Sequence, residues 1–499
     1  MHNEIQAIHF QQKHKRKQVN NIAMITFWSQ FASYTLNTVL ILYLTMPLIQ
    51  NGLGMSQVQS YAFIGVSQAM GYLMPMMGGF MADNILGLRR AILTGSLLLA
   101  AAYLLVMSGG VAVHIWGHIA FIAAYALIPV TNSLLMGTAS ALVSKIYKQD
   151  EGKAKGGMTL YYMSINVGAL LATIISPSLI HSRYGPLSVF AVVFIGKALS
   201  ALNFAYKYRL YEDVAEAIDK SRMDFKKWIK LTVYIVTIYI FTLFAYLNPQ
   251  ISSYIIGAGC IGGVLIFLLR TLTLKGTERT KQLVAVILIV VAILFFVMYN
   301  QMNTTMVLFA QNNSNLKLLG ITVSPASYQM INPLSILLLG FVLPKFYNRF
   351  KRFTIPYQFS TGIILSGAGM LVLWLACMYS TRGIINGNYL VLTYFIITIS
   401  ELFVSALGLS MIGIYCSEKM VAFAMGAFYL ASALSNIITG QLGKIVALPA
   451  GHTAPLTSLP VWQSYYLGIG VIAIVIGLIL LMGAVLLSGM MRRRGIHLA

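Results

Sequence analysis

The chain has 499 residues, of which 58% are hydrophobic and only 9% charged, and its mean hydropathy is +0.78. A soluble protein of this length with so few charges would not stay in solution, which excludes soluble enzymes and soluble binding modules. The net charge of +22 is confined to the ends of apolar stretches, so it reads as membrane topology and not as a nucleic-acid footprint.

Apolar stretches of about 20 residues, each long enough to cross ~30 Å of hydrocarbon, recur from Ile22 onward. Fourteen are expected, near 22–46, 58–82, 90–108, 115–144, 157–181, 186–206, 228–248, 252–272, 281–309, 326–347, 355–379, 388–416, 420–444 and 463–490. Residues 1–21 form a polar, basic tail in which no cleavable signal is expected, and 22–206 form a six-span bundle. The segment from Tyr206 to Lys227 holds Glu212, Asp213, Glu216, Asp219 and Asp224 and reads as a partly helical cytoplasmic linker. With two plain spans joined by Leu247-Asn-Pro-Gln250 it makes 207–276 an accessory segment, before a second six-span bundle at 277–490 and a basic tail at 491–499.

Basic clusters alternate along this succession of spans. They are Lys13/Lys15/Arg16/Lys17, Arg89/Arg90, Lys145/Lys148/Lys153/Lys155, Lys207/Arg209, Lys226/Lys227/Lys230, Lys275/Arg279/Lys281, Lys345/Arg349/Lys351/Arg352 and Arg492/Arg493/Arg494, whereas the opposite loops hold only Arg183, Lys317 and Arg382. This positive-inside pattern puts both termini in the cytoplasm. Short loops without a sizeable extramembrane domain fit a bacterial inner membrane. Cys260, Cys377 and Cys416 are scattered in or at the ends of spans, so neither a disulfide framework nor a metal is expected. There is no phosphate-binding loop and no cofactor is expected.

Between the second and third spans stands Gly79-Phe-Met-Ala-Asp83-Asn-Ile-Leu-Gly87-Leu-Arg89-Arg90. Gly87 permits a tight turn, and Asp83 is placed to offset a helix dipole or to pair with an arginine. The motif resembles the Gly-x-x-x-Asp-x-x-x-Gly-x-Arg-Arg cytoplasmic loop of the major facilitator superfamily, in which it holds neighbouring helix ends. That resemblance implies an all-α membrane fold of two six-helix bundles, here with two extra central helices.

Only one of the twelve acids, Glu401, lies in the middle of a span, in Ser400-Glu401-Leu-Phe-Val-Ser405. A carboxylate at that depth costs about 2.5–3.5 kcal/mol on insertion scales, so it needs a cation, a proton or a water-filled cavity. Three further stretches accompany it: Tyr161-Tyr162-Met-Ser-Ile-Asn166-Val-Gly168, Tyr299-Asn300-Gln301-Met-Asn-Thr304 and Pro325-Ala-Ser-Tyr-Gln329-Met-Ile-Asn332-Pro333. Together the four resemble the proton-dependent oligopeptide transporter family, in register from about Ile22 to the end of the 420–444 span.

The resemblance implies transport of di- and tripeptides, with Glu401, Asn166 and Asn332 gripping the amino end and Tyr34, Tyr72 and Tyr162 lining the cavity. Ser405 lies one turn beyond Glu401 on the same face. Gln30 and Asn300, at positions where family members often carry other residues, complete the expected substrate-binding set. Glu401 is also the expected proton carrier, and Gly79, Asp83, Gly87, Arg89 and Arg90 the cytoplasmic gating motif.

The departures from the family are systematic. Where typical members carry Glu-x-x-Glu-Arg-Phe-x-Tyr-Tyr, this chain has Thr26-Phe-Trp-Ser29-Gln30-Phe31-Ala-Ser33-Tyr34, and the family's fourth-span lysine falls on Met136. Losing acids and bases together avoids stranding a buried charge, which points to an altered site. Proton coupling is therefore expected to be changed or absent. Lys197, the only basic residue deep in a span, is expected to snorkel to an interface from a peripheral helix.

The expected partners are a small peptide or amine-bearing compound, protons if Glu401 carries them, and lipids; nucleic acid is not expected, and the chain is expected to act as a monomer. Rival readings are a transporter or exporter of a non-peptide amine and a non-transporting peptide sensor. No paired acids or nucleophile–base set lies in the spans, so enzymatic activity is not expected. Without a cationic clamp for a peptide carboxylate, C-terminal amides are expected to outcompete the corresponding free dipeptides in a binding assay; the reverse order would refute the missing clamp.

Overall fold

The computed structural model describes residues 2–148, 150–350, 353–417, 419–449 and 454–493. Lys351, Arg352, His452 and Arg494, and the basic tail beyond Arg493, lie outside the described residues. Of the described residues 84% are helical, and the chain divides into two compact units, Met1–Gly54 with Leu73–Leu247, and Met55–Tyr72 with Asn248–Ala499.

The first unit contains α1 (His2–Thr45), the C-terminal part of α2 (Gln57–Met81), α3 (Leu88–Val111), α4 (Val113–Trp116), α5 (His118–Tyr125), α6 (Leu127–Ser133) and α7 (Thr138–Ile146). It continues with α8 (Glu151–Ile180), α9 (Pro186–Tyr206), α10 (Ala217–Lys220) and α11 (Phe225–Leu247). Helix α1 is its axis, packed against both α8 and α9. Each contact passes through a glycine. A Cβ on Gly168 would lie 2.8 Å from Phe27 O, and one on Gly196 would lie 3.2 Å from Trp28 O. Such close approach brings the backbone polar groups of α1 within reach of side chains on its neighbours. The end of this unit nearest the linker is closed by Val19, Ile22, Ile92, Leu142, Ile146, Phe204 and Tyr211. Tyr211, from the linker, donates to Asn21 Oδ1 at 2.8 Å and so fastens the linker to α1.

The second unit holds the N-terminal part of α2 with α12 (Pro249–Leu272), α13 (Gly276–Asn300), α14 (Thr305–Asn313), α15 (Ile331–Leu339) and α16 (Leu343–Arg349). It is completed by α17 (Ile355–Met378), α18 (Asn388–Tyr415), α19 (Val421–Ile445) and α20 (Pro455–Arg493). A two-stranded antiparallel hairpin, β1 (Lys317–Leu318) and β2 (Ile321–Thr322), turns at Leu319 and Gly320, both with positive φ. Helices α17 and α20 pack closely along their length, with Gly367 set against Gly470.

Among the described residues, eleven helical segments are long and apolar enough to cross a membrane. The expected spans at 22–46 and 58–82 fall on α1 and α2, where Ser29, Gln30, Ser33 and Asn37, and Gln59, Ser60, Ser67 and Gln68, dilute the hydropathy. The one expected at 326–347 is divided among a 3₁₀ turn (Pro325–Met330), α15 and α16. Length and composition thus support eleven of the fourteen expected spans among the described residues.

In the second unit α2 and α19 cross at Gly65 and Gly440, where a Cβ on Gly440 would lie 2.7 Å from Tyr61 O. Gly440→Val is expected to cost about 1–3 kcal/mol by overpacking and to lower the midpoint of thermal unfolding in detergent. Gly259→Ala, whose Cβ would meet nothing within 4 Å, is expected not to lower it.

Candidate functional site

Glu401 is positioned by α18, and α18 is tied down on two sides. Ser400 Oγ donates to Gly362 O at 2.5 Å and shares a hydrogen bond with Ser366 Oγ at 2.6 Å, which fixes α18 to α17. Gly362 leaves room for Val404, whose Cγ2 would lie 2.6 Å from a Cβ there. Tyr394, fully buried, donates to Met302 O at 2.6 Å and fixes the beginning of α18 to the break that follows α13.

That break is built from polar side chains. Helix α13 ends at Asn300, a 3₁₀ turn covers Gln301–Asn303, and Thr304 has φ −127° and ψ −94° before α14 resumes. Gln301 Nε2 donates to Val297 O at 2.9 Å, while Gln301 Oε1 accepts from Thr305 Oγ1 at 2.6 Å and from the Tyr465 hydroxyl at 2.8 Å. A helix interrupted in mid-span needs such substitutes for its lost backbone bonds. Tyr299, in the last turn of α13 before the interruption, donates its phenol proton to the Glu401 carboxylate.

The second donor comes from the first turn of α15. Asn332 Nδ2 donates to Glu401 Oε2 at 2.6 Å and lies 3.1 Å from Thr398 Oγ1, whose own proton goes to Tyr394 O at 2.7 Å. Tyr72 of α2 is within electrostatic reach of both Glu401 and Tyr429. Ser405 is half-buried one turn beyond Glu401. Asn300 Nδ2 is buried without a hydrogen-bond partner among the described residues. A carboxylate offers about four acceptor positions; Asn332 and Tyr299 occupy two, which leaves capacity for a cation or a proton.

Of the nine residues expected to bind substrate, Glu401, Asn332, Tyr72, Ser405 and Asn300 belong to the second unit, where Asn332 is hydrogen-bonded to Glu401. The first unit holds Asn166, Tyr162, Tyr34 and Gln30. Asn166 is 6% exposed and donates to Tyr162 O at 3.0 Å, Tyr162 is 47% exposed, and Gln30 and Tyr34 are half-buried one turn apart on α1. Sequence reasoning missed Tyr299 and Thr398. Thr398 was findable, three residues before Glu401 on the same helix; Tyr299 lay beside the residue chosen in its place. Lys197 does not snorkel: it is 2% exposed and its Nζ donates into α1.

The loop Gly79–Arg90 ends α2 in a π turn over Ala82–Leu86, and Gly87 enters α3 with φ +79°. A side chain at Gly87 would also collide with the Asp219 carboxylate. Asp219, from the linker, accepts from Arg90 N at 3.4 Å, and the Arg90 guanidinium donates to Ser221 O at 2.5 Å. Arg89 donates to Tyr208 O at 3.0 Å and lies 4.3 Å from the Tyr208 ring centroid. Asp83 is exposed. The acid that meets the start of α3 is therefore Asp219.

The sequence pattern of the POT family (PTR2) matches residues 89–459. The chain belongs to the POT family. Over 474 residues it is 32% identical to a dipeptide and tripeptide permease A of Klebsiella pneumoniae (strain 342), covering 94% of this chain and 92% of that one. The dipeptide and tripeptide permease A of Escherichia coli (strain K12) is 31% identical over 465 residues, or 93% and 91% of the two chains. Among solved structures, a bacterial homologue of the human drug peptide transporters PepT1 and PepT2 superposes with a TM-score of 0.81 at 25% identity, covering 96% of this chain and 99% of the other. Tetrameric PepTSo2 superposes with a TM-score of 0.82 at 25% identity and the same coverage. The fold is the major facilitator fold of these POT transporters, as the cytoplasmic loop motif led one to expect.

The Asn332–Glu401 hydrogen bond is expected to appear as non-additivity. Asn332→Ala and Glu401→Ala each shift the unfolding midpoint, and the double variant departs from the sum of the two shifts by the equivalent of about 0.5–3 kcal/mol. Simple addition of the two shifts would mean that the bond does not form.

Proposed function

We propose that this protein carries di- and tripeptides, or peptide-like compounds with a free amine, across the bacterial inner membrane by alternating access, with both termini in the cytoplasm. The observation that carries this reading is Glu401, a carboxylate in a span, held by the Asn332 amide and the Tyr299 phenol with acceptor positions left over. An α-ammonium fits those positions as a charge-assisted hydrogen-bond donor. Relatives named as dipeptide and tripeptide permeases support the substrate class. We assign Asn166, Tyr34, Tyr72, Tyr162, Ser405, Asn300 and Gln30 to the lining of the transport path, and Gly79, Asp83, Gly87, Arg89 and Arg90 to the cytoplasmic gate.

The neutral residues at Ser29, Gln30 and Met136 favour ligands without a free carboxylate, such as C-terminally blocked peptides. They also alter proton coupling, because a single carboxylate holds either a proton or an ammonium. With Glu401 alone, the two compete. We take the monomer as the transport unit, since Glu401 and its partners Asn332 and Tyr299 come from one chain, although the relative PepTSo2 is described as a tetramer.

Uptake of labelled dialanine and dialanine amide into proteoliposomes, with and without an inward proton gradient, tests the reading. The wild-type protein is expected to move both and to favour the amide. Glu401→Gln is expected to lose roughly tenfold or more in apparent affinity, the equivalent of about 1.5–3 kcal/mol for a hydrogen bond to a charged group. Unchanged uptake by Glu401→Gln would refute the role of the carboxylate, and binding without flux would favour the sensor.

A further inference from the structure

Lys197 lies in α9 with 2% of its surface exposed. Its Nζ donates to Ser29 O at 2.7 Å, Ser29 Oγ at 3.0 Å and Ser33 Oγ at 2.7 Å, all on α1, and lies 5.5 Å from the centroid of the Tyr103 ring on α3. An ammonium has three N–H donors, and three oxygens receive them. A buried cation needs such compensation, because its transfer from water is otherwise prohibitive.

What is missing is an acid. The helices packed against α9 are α1, α3 and α8. Their only acidic residues are Glu4 and Glu151, at the beginnings of α1 and α8, and α3 and α9 have none. The Tyr103 phenol is the titratable group that faces Lys197 from α3, while α1 presents the hydroxyls of Ser29 and Ser33. The basic residues Lys13, Lys15, Arg16 and Lys17 of α1 precede Ser29 by three turns or more, Arg89 lies in the first turn of α3, Lys153 and Lys155 lie in the first turns of α8, and Arg209 lies in the turn Tyr208–Tyr211.

Hydroxyls suit a site that changes its charge. Each accepts from an ammonium and, after rotating, donates to a neutral amine. The Tyr103 hydroxyl is hydrogen-bonded to Ser33, which extends the rotatable chain. Ser29 and Ser33 are half-buried, so the cradle adjoins accessible space even though Nζ is sealed. A fixed carboxylate partner would instead hold the lysine in one protonation state, and a packing role would be filled as well by methionine.

We propose that Lys197 is a proton-binding site of the transport cycle, loaded as an ammonium in the Ser29–Ser33 cradle and neutral when unloaded. The proton comes from water on one side and returns to water on the other, and no covalent bond changes. This rests on the transport reading above, and it removes the competition at Glu401: the carboxylate takes the substrate amine while Lys197 takes the proton.

Two measurements on the full-length protein separate the two ideas. In proteoliposomes under an inward proton gradient, wild type is expected to accumulate dialanine amide above its outside concentration. Lys197→Gln is expected to fall to equal concentrations inside and out, with the ratio of counterflow to accumulation rising by about tenfold or more. Lys197→His, which can still titrate, is expected to recover accumulation with an acid-shifted pH profile, and this a merely structural lysine would not allow. Gradient-driven accumulation at the wild-type level in Lys197→Gln overturns the proposal. If the wild-type protein moves neither dialanine nor its amide, the transport reading fails, and Lys197 is then judged by stability. The unfolding midpoint of wild type relative to Lys197→Met is expected to vary over roughly pH 6–9 if the site titrates. A pH-independent difference overturns it.

Discussion

A charge inside a membrane span must be solvated by the protein itself, and that requirement organises both units of this transporter. In the second unit a carboxylate draws donors from α13 and α15 onto α18; in the first an ammonium draws acceptors from α1 onto α9. Hydrocarbon supplies no alternative partners. The helices must therefore approach closely and in a defined rotation, and glycines provide the approach: Gly362 beneath Val404, Gly196 beneath Trp28.

The interruption between α13 and α14 follows from the same constraint. Ending α13 at Asn300 frees backbone groups, and Gln301, Thr305 and Tyr465 take over part of the bonding that a continuous helix would have supplied. Tyr299, at the end of α13, donates to the carboxylate, and Asn300 Nδ2 is buried without a partner among the described residues. An unsatisfied buried donor is expensive.

The linker between α9 and α11 does more than connect. Asp219 meets the first turn of α3, where a carboxylate is favoured by the helix dipole, and Arg89 and Arg90 hold linker carbonyls. Lys145 pairs with Glu216, which fastens α7 to the same segment. Asp219 and Glu216 thus anchor the linker to α3 and α7 of the first unit.

Membrane class and fold, and the isolation of Glu401, were legible in the sequence, because hydropathy and charge spacing are local quantities that add along a chain. Motif resemblance added Asn332, which meets Glu401 across 69 residues. The three-dimensional structure alone decided that Tyr299 is the second donor, that Asp219 and not Asp83 meets the start of α3, and that Lys197 turns inward to serines 164 and 168 residues away. Each of these depends on how one helix is rotated against another. That rotation is set by the summed packing of whole faces, to which no single stretch of sequence corresponds.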